Sequence, residues 1–319
     1  MPSIRTALLS LPLLVVACEP EGGPDSSAFE PIDVEARCLG CNWDPPVTNT
    51  HGLNGLSVAA LDTTGQMYDG WRLESVEIMI DRTLTPVYDV YVKDGMLHGV
   101  DASSTEHSGA AFVDSVWTVK LEATESTAVM TISEFTDDHG ASRYTFFGGT
   151  GTPNSETYTC AEDPDTGEYS VVLFENIDVD PESGTHFERS DTIYFGCVSG
   201  AVGKAAVWGY SPWNASDDAH QAASRAVRAD YCGDGTPHTV QGTALQLADP
   251  FDINEFSDLT KDTESFWTPD GATCVLTTRI ADYHEGIECE GVMLPECDPA
   301  DELADWPDAL LWTKVLVTP

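Results

Sequence analysis

The chain reads as mainly β: an antiparallel sandwich or irregular barrel with one packed helix, stapled by disulfides. Three observations predict this. Short runs rich in β-branched and aromatic residues recur between turn signals. One Ala-rich segment carries helical spacing and a polar cap. Nine cysteines occur in a chain whose start looks like an export leader.

The strands come in order. Ser75–Asp81 alternates at first and then turns apolar, and Pro86–Lys93 and Val113–Leu121 are rich in Val, Tyr and Trp. Val129–Phe135, Arg143–Phe147, Tyr169–Phe174 and Thr192–Cys197 follow in the same style. Turn triplets separate them, among them Lys93-Asp94-Gly95, Asp138-His139-Gly140 and Asp165-Thr166-Gly167. The helix runs over Ala219–Ala229. Ser216 or Asp217 caps it, acids fill its first turn, and Arg225 and Arg228 lie near its end, each complementing the dipole. Ala219, Ala222, Ala223, Ala226 and Val227 fall on or near one face, and such small side chains imply close packing on a sheet. Ala244–Leu247, Thr273–Ile280 and Trp312–Val317 read as further strands.

Ahead of the strands stands a different kind of sequence. One basic residue, Arg5, precedes the apolar stretch Ala7–Val16, then Ala17 and Cys18. The stretch is too short to span a bilayer, which takes about 20 apolar residues. It suits a signal-peptide core cut before a lipid-bearing cysteine. Residues 1–17 are thus read as a lipoprotein signal peptide, Cys18 as the lipidation site, and 18–52 as a flexible acidic stalk rich in Pro and Gly. A β-rich region is expected over 53–190 and a second region over 191–319, packing either separately or as one unit.

Composition limits the partners. The formal charge is -40, from 54 acidic and 14 basic side chains. That argues against nucleic acid, whose affinity comes from Lys and Arg on phosphates. At 41% hydrophobic the chain still has enough apolar residues for a core. Beyond Cys18, eight cysteines remain, and eight allow 105 connectivities. Cys38/Cys41 and Cys289/Cys297 are near neighbours able to close small loops. The Cys38–Cys41 spacing lacks the strand and helix of a redox fold and the second ligand pair of a zinc site.

Three motifs stand in order between Thr192 and Arg279. The first is Phe195-Gly196-Cys197 with Trp208-Gly209-Tyr210-Ser211-Pro212-Trp213. The second is Ala229-Asp230-Tyr231-Cys232-Gly233-Asp234-Gly235, and the third Trp267-Thr268-Pro269-Asp270-Gly271-Ala272-Thr273-Cys274. This stretch resembles the ADYC domain of bacterial exported lipoproteins, a family that brings no established activity with it. Family members often carry cysteines where this chain has Ala206 and Ala223. Their joint absence implies that Cys232 pairs with Cys274, and that Cys160 then takes Cys197.

Three chemistries suit these residues. Asp230, Asp234 and His238, with Cys232 between them, form a set suited to a hydrolase. The alternative is a helix end anchored by Cys232 and turned by Gly233-Asp234-Gly235. Asp163, Asp165, Asp178 and Asp180 place oxygens at alternate loop positions, as calcium loops do, but neither run matches an EF-hand. Calcium is the one cofactor these loops suggest, and solvated loops are the favoured reading. Trp208, Tyr210 and Trp213 suit a glycan platform or core packing. His220 and His284 are candidates to meet His238. The resulting expectation is a non-catalytic lipoprotein of the Gram-negative envelope, anchored by acyl chains in the outer membrane and binding an envelope or extracellular ligand. An extracytoplasmic hydrolase and a calcium-dependent adhesin are the alternatives.

Overall fold

The structure, a computed structural model, describes residues 47–49, 59–122, 125–138, 141–148, 158–163, 166–256, 262–280 and 286–315. Signal peptide, Cys18, the Cys38/Cys41 pair, Asp165 and His284 lie outside these. In chain order the strands are β1 (Val47–Thr48), β2 (Ala60–Asp62), β3 (Trp71–Ile80), β4 (Thr83–Lys93), β5 (Met96–Asp101), β6 (Glu106–Ser108), β7 (Val116–Leu121), β8 (Thr127–Asp138) and β9 (Ala141–Gly148). Then come β10 (Ser170–Val179), β11 (His186–Cys197), helix α1 (Ala201–Ala205) and helix α2 (Asp217–Arg228). The chain closes with β12 (Ala244–Ala248), β13 (Asp262–Thr268), β14 (Gly271–Val275), β15 (Glu288–Cys289), β16 (Val292–Met293) and β17 (Leu311–Val315).

Among the described residues the strands make two main antiparallel sheets. The larger runs β2-β11-β10-β9-β8-β7-β3-β4-β5-β6 and the smaller β1-β12-β17-β13-β14. The larger sheet curls until β4 lies over β10 and β11. Its inner face holds Trp117, Ile132, Phe146, Leu173, Ile193 and Phe195 in one core. β10 shows why its sequence is almost continuously apolar. Val171 and Leu173 face that inner core, while Val172 and Phe174 face outward against Val202 and Val207 of the helical layer. A strand covered on both sides loses the polar alternation.

Both helices sit between the sheets. α1 packs on β11, and α2 packs on α1 and on β13 and β17. The predicted helix is present with Ser216 as its cap, its Oγ accepting from the Ala219 N–H at 3.0 Å. Ala222, Ala223, Ala226 and Val227 are fully buried against Leu245, Leu247, Trp267 and Leu311. The opposite face of the small sheet carries Phe266, Cys274 and Cys297 beside Trp306 and Trp312.

Several boundaries differ from expectation. The division at 190 falls inside β11, whose first residues pair with β10 and whose later ones pair with both β10 and β2. The end of the stalk is not free. Val47 and Thr48 pair with Leu245 and Ala244, and buried Asn49 donates through Nδ2 to Thr239 Oγ1 at 2.5 Å. Three disulfides form among the described residues, and two correct the expected scheme. Cys160 bonds Cys197 as expected. Cys232 bonds Cys289 instead of Cys274, and Cys297 bonds Cys274 instead of Cys289. The reason is facial. Cys232 and Cys289 border the helix-side core, whereas Cys274 and Cys297 belong to the far side of the small sheet.

Candidate functional site

The family motif begins where α2 ends. Ala229 takes the left-handed conformation (φ 51°, ψ 45°). Its N–H donates to the Ala226 carbonyl, and the Asp230 N–H reaches back to the Arg225 carbonyl at 3.0 Å. This is the double bond pattern of a Schellman cap, with alanine where glycine is usual. Arg279 completes the stop, donating to the last-turn carbonyls of Ala226 and Val227.

Asp230 is fully buried. Its carboxylate accepts from Arg225 Nη1 at 2.5 Å, from the Asp234 N–H at 3.1 Å and from the Gly235 N–H at 3.0 Å. Arg225 in turn donates to the Ser183 and Pro269 carbonyls and to Thr185 Oγ1. One ion pair therefore ties the helix end to the β10–β11 turn and to the β13–β14 turn. Tyr231 extends the tie. Its hydroxyl donates to Glu264 Oε1 at 2.8 Å, its ring stacks on Trp267, and its carbonyl accepts from the Ala272 N–H. Glu264 and Arg279, both without exposed side-chain surface, form a two-point ion pair. Burial pushes the Tyr231 phenol well above its usual value, so it remains a donor. Gly233 and Gly235 both have positive φ, and a Cβ at either would fall 1.9 Å from a carbonyl oxygen, Asp270 or Glu182. Only glycine fits such an approach.

The proposed hydrolase set does not converge on a cleft. Asp230 faces the turn, and Asp234 accepts from the Thr236 N–H. His238 Nδ1 lies 3.1 Å from the Ala229 carbonyl, with its ring on Tyr231. His220 does not meet His238; it meets His186, with ring centroids 4.8 Å apart. The acidic loop residues are likewise committed. Asp163, 1% exposed, pairs with Lys204 at 2.7 Å, and Asp178 accepts from the Tyr68 hydroxyl. The Ser183 and Glu182 amides hold Asp180 below the usual carboxylate range. Among the described residues no three His, Cys, Asp or Glu side chains gather as a metal site. Trp208 and Tyr210 are buried in the helix-side core, so they offer no glycan surface; Trp213 alone of the three reaches a cleft.

That cleft, of about 470 Å³, lies between β10–β11 and the start of α2. Phe174, Phe187, Pro212 and Trp213 supply its apolar surface, and Asp94, Glu175, Glu188, Asp217 and Asp218 its charge. It forms where the β10–β11 register breaks, beside Asn176 in the left-handed region. Bulges often accompany sites because they re-aim side chains. Gln221 fixes the rim, accepting from the His186 N–H and donating to the Pro269 carbonyl. His186 lines the cleft, and among the described residues neither ring nitrogen has a hydrogen-bond partner. Burial, then His220, keeps its pKa well below the usual value. The sequence reading missed this histidine pair. The available signal was helical spacing, since His220 shares a stripe with Ala223 and Val227.

Fold and motif together define a disulfide-stapled, mainly β protein whose helical layer is locked between two sheets. The ADYC domain family model matches residues 109–281, more than half of the chain, and the chain belongs to that family. The match reaches back through β7–β10, well before the motifs that carried the resemblance. Neither a curated protein nor a solved structure matches the chain.

Proposed function

We propose that this chain is a lipid-anchored lipoprotein of the Gram-negative envelope, held in the outer membrane through Cys18, whose head is a non-catalytic binding module. The supporting observation is the use made of Asp230. Asp230, the buried acid of the family motif, spends both carboxylate oxygens on Arg225 and two turn amides. A general acid or base needs reach to a substrate proton, and this geometry gives it none. The motif instead braces three elements, and the open cleft lies to one side. Among the described residues no helix is long and apolar enough to cross a membrane. Attachment in this reading is through acyl chains, two or more of which hold stably. The partners are the bilayer and an envelope or extracellular ligand. Cell fractionation tests the anchor: the parent stays with membranes after a high-salt wash and Cys18→Ser is released. A Cys18→Ser form that remained membrane-bound would refute it.

A further inference from the structure

We infer that the cleft beside Trp213 receives an organic cation, an alkylammonium group. This deepens the binding-module reading and rests on it. Five carboxylates line the cleft and no Lys or Arg does. None of the five forms an ion pair among the described residues. Asp217 and Asp218 occupy the first turn of α2, where they neutralise the dipole that would otherwise attract an anion. Burial, then Asp94, raises the Glu175 carboxyl against the opposing pull of Lys93 and His98.

Two further features separate this cleft from a merely acidic surface. Phe187, 44% exposed, and Trp213 present aromatic rings, which attract cations through their faces. His186 offers ring nitrogens that are shielded from solvent and bonded to nothing among the described residues. A neutral imidazole has one acceptor nitrogen, a partner for an N–H of the incoming cation. The volume is in the usual small-ligand range of about 300–1,000 Å³.

The cation has two possible sources, a free polyamine or a Lys side chain on a polypeptide. Calorimetry on the full chain in an uncharged detergent separates them, using spermidine and a capped tetralysine peptide at about 150 mM NaCl, where exposed charges are screened beyond about 8 Å. The expected result is one saturable site. Glu188→Gln with Asp218→Asn weakens it about tenfold or more, and Phe187→Ala by about threefold. A variant with the same charge change elsewhere, Glu122→Gln with Glu134→Gln, stays within about twofold of the parent. Spermidine binding alone assigns a free polyamine; peptide binding assigns a Lys side chain. Equal losses in the two double variants, or no saturation by either probe, overturns the site. Mass spectrometry of the recovered peptide tests the underlying reading separately, since a cleaved peptide ends the non-catalytic assignment while leaving the site in place.

Discussion

His220 makes the head acid-sensitive in a way that can be measured at one residue. The side chain is fully buried on α2, stacked on Phe174 at 4.8 Å and against His186 at 4.8 Å, with Nε2 3.0 Å from the Val202 carbonyl. Burial pushes its pKa from 6.5 down to about 4, against the opposing pull of the Val202 hydrogen bond. The unfolded chain therefore takes up the proton first. Stability is whole above about pH 6.5 and is lost as the pH falls toward 4. At about pH 5 this single group costs about 2 kcal/mol. His220→Phe keeps a flat ring but forfeits the bond to Val202, a loss of about 1 kcal/mol at neutral pH. The two proteins thus exchange rank. The variant is weaker at about pH 7.5 and stronger by about 1 kcal/mol at about pH 5. Arg225 is common to both, and His186, whose pKa His220 helps to depress, is partly relieved in the variant, which shifts the rank exchange in the same direction. Urea unfolding at the two pH values reads the effect through the midpoint and slope. Parallel pH dependence in parent and variant would refute the reasoning.

Two other predictions concern the motif. Asp230→Asn leaves the Arg225 guanidinium buried without its counter-charge and lowers stability by about 3 kcal/mol or more, while the cleft still binds its cation; unchanged stability would contradict the bracing role. Replacing Cys232 and Cys289 together by Ser opens a closure with a sequence separation of 57 and costs about 4 kcal/mol by loop entropy. Non-reducing peptide mapping of the parent must recover Cys232 with Cys289 and Cys274 with Cys297.

Much of the larger sheet was legible because its strands are β-branched runs set between turns, and local sequence determines both. α2 was legible because Ser216, the alanine stripe and the terminal arginines all point to the same element. β13 was not, because Asp-Thr-Glu opens it and a buried Glu264 looks like loop until Arg279 is seen beside it. The same arginine explains why the strand expected over Thr273–Ile280 ends at Val275: the chain leaves the sheet and brings the guanidinium to Glu264 and the helix end. α1 was missed because five residues carry too little periodicity. The disulfide errors arose from reading sequence proximity and motif membership as contact, whereas the faces of the small sheet decide which sulfurs meet. The cleft was invisible because its lining comes from three places in the chain, joined only by the register break in β10–β11 and the position of α2.

The two C-terminal disulfides cross in sequence, 232 to 289 over 274 to 297, so neither loop encloses the other. A backbone cut anywhere between Cys274 and Cys289 leaves the severed tail tethered twice. That tail supplies β17, the middle strand of the small sheet. A protease acting there would nick the molecule without dismantling it, and the damage would show on a gel only after a reductant was added.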